Sequence, residues 1–91
     1  MKRFIIIHDW KCGPNLESHI LVAERDYTYI DFDVKYRVWD GKVTKDTLTY
    51  ETEEMAWSMV ENYMISCTPD APSKEEQLKD FWLEEVEVSN D

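Results

Sequence analysis

Phe4-Ile5-Ile6-Ile7 sets one aromatic beside three β-branched residues with no polar residue between them. Such a run, lacking alternation, predicts a strand buried on both faces near the centre of a sheet. Residues 9–18 contain Gly13-Pro14-Asn15 and read as a loop, after which Ile20-Leu21-Val22-Ala23 starts a second strand running into Glu24-Arg25-Asp26. From Tyr29 to Val38 the residues alternate, with Phe32, Val34, Tyr36 and Val38 on one face and Asp31, Asp33, Lys35 and Arg37 on the other. Asp40-Gly41 predicts a hairpin turn, because glycine supplies positive φ. A bulged register is preferred, since it pairs Phe32 with Leu48 and Ile30 with Tyr50 and keeps the apolar residues together.

The second half is helical in pattern. Thr52 is placed to cap a helix whose first turn carries Glu53 and Glu54, with Met55, Ala56, Met59, Val60, Tyr63, Met64 and Cys67 as its apolar stripe. After the breaker of residues 66–72, Ser73-Lys74-Glu75-Glu76 forms a capping box, and Leu78, Phe81 and Trp82 follow at i, i+3 and i+4 on a short second helix. Val86 and Val88 alternate with acids and predict a closing edge strand. The expectation is an α+β fold: a small, mostly antiparallel sheet of four to five strands packed against two helices, as a single domain over residues 1–91.

Composition narrows the function. Twenty acids against ten bases give a net charge of -10, which argues against direct contact with nucleic acid or an anionic membrane, since both call for basic surface. Two cysteines are too few for a secreted disulfide framework, no apolar run approaches the ~20 residues of a membrane helix, and no signal-peptide core follows Met1. A cytoplasmic protein is expected.

Catalytic and metal chemistry find little support. His8, Cys12, His19 and Cys67 are the soft ligands available to zinc, but no pair has zinc-finger spacing. His8 beside Asp9 suggests a base with its orienting carboxylate, and with His19 it is the candidate site of a small enzyme. Neighbouring strand residues point to opposite faces, however, and no nucleophile motif accompanies them. Catalytic, cofactor-binding and metal-ligating residues are therefore not expected.

Charge distribution is more informative. Residues 1–45 hold seven acids and eight bases, whereas residues 46–91 hold thirteen acids and only Lys74 and Lys79 as bases, a net of -11. Crowding of like charge destabilises a compact state, so the asymmetry calls for a compensating role. Duplex DNA carries about one charge per 1.7 Å of axis, so thirteen carboxylates on one face match roughly 22 Å of duplex. The candidate partner-binding carboxylates are Asp46, Glu51, Glu53, Glu54, Glu61, Asp70, Glu75, Glu76, Asp80, Glu84, Glu85 and Glu87. Trp57, off the apolar stripe of its helix, and Trp39, at the hairpin tip, are placed as interface anchors.

Length, one-sided acids and interspersed Trp57, Tyr63 and Trp82 together resemble the small acidic phage-type inhibitors that mimic DNA. The resemblance implies a non-enzymatic protein that presents carboxylates in place of phosphates to a basic host DNA-binding protein. Its implied targets are a histone-like nucleoid protein of the HU type, a polymerase, a restriction enzyme or a CRISPR effector. The alternative is an adaptor or regulatory module that binds through an apolar surface or a sheet edge, with the acids serving solubility. Either reading accommodates a homodimer, because a small sheet with an open edge gains by pairing.

Overall fold

A computed structural model describes residues 1–27 and 33–88. Their strands, β1 (Lys2–Cys12), β2 (Glu17–Asp26), β3 (Asp33–Val38) and β4 (Phe81–Glu87), form one antiparallel sheet in the order β3-β2-β1-β4. Between β3 and β4 come α1 (Glu53–Met59), a π-helical turn (Val60–Met64) and α2 (Lys74–Leu78). The fold is α+β, with four strands and two helices among the described residues.

β1 is central, as its isoleucine run predicts, and Ile5, Ile6 and Ile7 are fully buried. Alternation sends them to different cores. Ile6 joins Ala23, Leu48, Phe81 and the helical residues Ala56 and Val60, while Ile5 and Ile7 join Val22 on the opposite face under Ile20, Trp39, Trp82 and Val86. Two small cores thus share one strand.

Several expectations are corrected. The loop read over residues 9–18 shrinks to a turn, because Asp9 to Cys12 continue β1 and pair with Glu17 to Ile20. Gly13 in that turn has a φ of +84°. The second helix ends at Leu78, and Phe81 and Trp82 belong to β4, opposite His8 and Ile7. Apolar residues at i, i+3 and i+4 fit a helix, but here Phe81 faces one core and Trp82 the other, as alternation in a strand demands. In the first helix Ala56 and Val60 are buried, whereas Met55, Tyr63 and Cys67 are exposed. The widened π turn rotates the later residues off the original stripe. Tyr36 and Val38, expected on the core face of their strand, are also exposed.

The hairpin partner is the largest correction. Asp40 does make a turn, its Oδ1 accepting from the Lys42 backbone N–H at 2.9 Å, and Gly41 takes a φ of +84°. The chain then leaves β3. Beyond the Ile7–Val22 pair, β1 and β2 splay apart, and residues 46–50 enter between them. Arg25 donates to the Asp46 carbonyl at 2.8 Å and Leu48 donates to the Ala23 carbonyl at 3.1 Å, while Phe4 and Tyr50 exchange bonds of 2.8 and 2.9 Å. This wedge satisfies backbone groups that the splay would otherwise strand inside the molecule. Leu48, left only 7% exposed, pairs with Ala23 rather than with Phe32; Phe32 and Ile30 lie outside the described residues.

A polar cluster anchors the loop before the wedge. The Glu24 carboxylate accepts from Arg37 Nε at 2.9 Å, Thr44 Oγ1 at 3.0 Å and Thr47 Oγ1 at 3.4 Å, and Arg37 also donates to Asp40 and to the Lys42 carbonyl. Burial alone pushes the Glu24 carboxyl up, but the bonds from Arg37, Thr44 and Thr47 and the guanidinium charge hold it below its ordinary value.

Candidate protein-binding surface

The candidate carboxylates divide into three groups. The first is helical. Glu53 and Glu54 occupy the first turn of α1, where Thr52 Oγ1 accepts from the Met55 N–H at 3.1 Å. Glu75 and Glu76 occupy the first turn of α2, where Ser73 Oγ accepts from the Glu76 N–H at 3.2 Å. Acids near helix N-termini are locally favourable. Gln77 ties the intervening loop together, accepting from the Ser66 N–H and donating to the Ser66 and Pro72 carbonyls, so Asp70 sits in a loop fastened at both ends. All five acids are exposed, and none forms an ion pair among the described residues.

The second group is neutralised within the chain. Glu51 lies 3.7 Å from Arg3, Glu61 lies 3.6 Å from Lys74, Asp80 lies 3.5 Å from Lys11 and Glu85 lies 3.6 Å from Lys2. Glu87 lies 2.7 Å from the amino terminus, whose bond and charge hold its carboxyl below the usual range. The cations of β1 thus balance the acids of β4 and its approach.

Asp46 and Glu84 make up the third group. Asp46 is half-buried at the entrance of the wedge, its N–H donating to Thr44 Oγ1 at 3.2 Å. Glu84 follows Trp82 and Val86 onto the sheet face away from the helices. The aromatic expectations shift too. Trp57 packs against the Ile6 core and Trp39 against the Ile5 core, so neither is an exposed anchor.

No protein-family model, curated protein or solved structure matches the chain. The functional reading rests on the surface itself.

A second surface was not visible in the sequence. His8, Trp10, Leu21, Tyr36 and Val38 line an apolar depression on the face of the sheet that carries Ile6, Ala23 and Phe81. Trp10 is 53% exposed and Val38 69% exposed. His8 stacks on Phe81 with centroids 4.1 Å apart and planes at 4°, and Tyr36 lies 5.5 Å away. Burial lowers the His8 pKa against the opposing charges of Asp80 and Asp9, favouring the neutral ring. Asp9 lies on the other face of β1, accepting from Ser18 Oγ at 3.3 Å, so the two do not form an acid–base pair. Among the described residues no cluster of His, Cys, Asp and Glu is arranged to hold a metal, and no helix is long and apolar enough to cross a membrane. Nothing local marks Trp10, because its segment reads as a loop until its cross-strand partner His19 is set opposite it.

Proposed function

We propose that this chain is a non-enzymatic inhibitor acting in the cytoplasm, which occupies the basic surface of a DNA-binding protein by presenting carboxylates where phosphates would lie. Candidate targets are a histone-like nucleoid protein, a polymerase, a restriction enzyme or a CRISPR effector. The observation that carries this reading is the un-neutralised acid of the helical segment. Glu53, Glu54, Asp70, Glu75 and Glu76 remain exposed with no ion pair among the described residues, whereas Glu51, Glu61, Asp80, Glu85 and Glu87 each have an intrachain cation. The binding acids therefore narrow to the first set, with Asp46, Glu84 and the paired carboxylates at its margin. Such a surface attracts cationic side chains from a distance and is screened within a Debye length of about 8 Å at physiological salt.

The test is capture from bacterial lysate on the immobilised chain, with elution in rising salt and duplex DNA as competitor. The expected result is a DNA-binding protein that elutes as salt rises and that DNA displaces. A chain carrying Glu53→Lys, Glu54→Lys, Glu75→Lys and Glu76→Lys should bind that protein roughly 100-fold more weakly, at about 0.7 kcal/mol for each lost surface pair. Unchanged affinity in this variant would remove the helical acids from the interface. The adaptor reading is favoured by the exposed Trp10 and Val38; it requires salt-resistant capture that Trp10→Ala abolishes.

A further inference from the structure

The sheet has two open edges of opposite character. On β3, the Trp39 N–H bond to the Ile20 carbonyl fixes the hydrogen-bonding phase, so the backbone groups of Val34, Tyr36 and Val38 point outward; there the Val34 N–H donates to Asp33 Oδ1 at 2.8 Å and the Val38 carbonyl accepts from Arg37 Nη1 at 3.3 Å, two local bonds that a pairing strand would replace. On β4, the Val88 N–H bond to the Met1 carbonyl and the Asp9 N–H bond to the Asp80 carbonyl turn those of Phe81, Leu83, Glu85 and Glu87 outward. No other strand among the described residues pairs with either edge. The side chains of β3 on the face of Glu24 are Asp33, Lys35 and Arg37, and those of β4 on the same face are Trp82, Glu84 and Val86. Neither Lys35 nor Glu84 has an ion-pair partner among the described residues.

We propose that the chain associates head to tail with copies of itself, β3 of one copy pairing antiparallel with β4 of the next to continue the sheet. Paired residues must share a face, which restricts the registers. The register that sets Asp33 to Val38 against Val86 to Phe81 places Lys35 opposite Glu84, Tyr36 opposite Leu83, Arg37 over the Trp82 ring and Val38 opposite Phe81. Exposed Tyr36 and Val38 thereby gain apolar partners. Two-fold pairing of like edges brings like charges together at the longest registers. Joining β3 to β3 at its two longest registers sets Lys35 against Lys35 between two Asp33–Arg37 pairs, or Lys35 against Arg37 twice, and the full-length joining of β4 to β4 sets Glu84 against Glu84. Arg37 is already held by Glu24 and Asp40, so the Lys35 contact weighs against the β3 pair and the Glu84 contact against the β4 pair, which leaves the unlike edges to meet.

This interface is heterologous, so each copy retains one free edge of each kind. Each copy adds four strands, advancing the assembly by about 19 Å and turning it by roughly 90°. Such a screw does not close on a dimer. The inference does not depend on the inhibitor reading.

Sedimentation velocity of the purified chain from low micromolar to millimolar concentration tests it. The weight-average sedimentation coefficient should climb past the dimer value, and molar NaCl should reverse the climb. Lys35→Glu alone and Glu84→Lys alone should each weaken association about tenfold or more, since each sets like charges against each other across the joint. Association should return when the two variant proteins are mixed. The β3 edge of the Lys35→Glu chain then brings a carboxylate to the ammonium on the β4 edge of the Glu84→Lys chain, and the remaining joint is the parental pair of Lys35 with Glu84. Carrying both substitutions in one chain should restore association likewise. Circular dichroism verifies that each variant keeps its sheet. A monomer at every concentration, a plateau at dimer, or failure of the mixture to associate would each overturn the proposal.

Discussion

Arg37→Ala should destabilise the protein by about 3 to 5 kcal/mol, because it strips the cation from a carboxylate that has lost its water. Glu24 has only 7% of its side chain exposed, and after the substitution only the hydroxyls of Thr44 and Thr47 remain to satisfy it. Urea unfolding at neutral pH measures the loss; an unfolding free energy within a few tenths of a kcal/mol of the parent would show that water replaces the guanidinium. Acidification supplies an independent check. The folded Glu24 carboxyl lies below its ordinary value of 4.5, so its stabilising contribution is complete above that pH and is lost as pH falls through the folded value. In the variant, protonation relieves a buried lone charge. The gap between parent and variant should therefore narrow as pH drops below 4.5. A gap that did not change with pH would mean that Arg37 acts chiefly through its bond to the Lys42 carbonyl.

Leu48→Ala should cost about 2 to 5 kcal/mol, the usual range for emptying a buried aliphatic site. That is a large part of the roughly 5 to 14 kcal/mol expected for 91 residues. The side chain fills the gap between Ile6 and Ala23 beneath Ala56 and Val60. Substituting Val38, which is 69% exposed, is the matched control and should change stability by less than about 0.5 kcal/mol. Equal effects at the two positions would place Leu48 outside the core.

The features legible in the sequence are those whose causes are local. Phe4 to Ile7 declare a central strand because they leave no solvent face. Thr52 and Ser73 declare helix starts because a cap acts within three residues. Leu48 declares nothing local, since its place depends on where β1 and β2 part, decided by residues far away in the chain. Phe81 and Trp82 satisfy the helical and strand periods equally until Ile7 and His8 are set opposite them. The acidic surface was legible in composition but not in detail. Lys2, Arg3 and Lys11 come from the opposite end of the chain to neutralise Glu85, Glu51 and Asp80, a cancellation that sequence spacing conceals. What survives it is the helical set on which the proposed function rests.

The wedge of residues 46–50 also orders events in time. The β1–β2 hairpin can zip from its own turn as far as Ile7 and Val22 without help, because each pair lies next to the last. Leu48 must instead close a long loop to reach Ala23, and Tyr50 a still longer one to reach Phe4, so both contacts carry a loop-closure cost that the hairpin avoids. Insertion of the wedge then belongs on the native side of the rate-limiting barrier. Its loss in Leu48→Ala should appear in stopped-flow traces chiefly as faster unfolding, with the refolding rate nearly that of the parent.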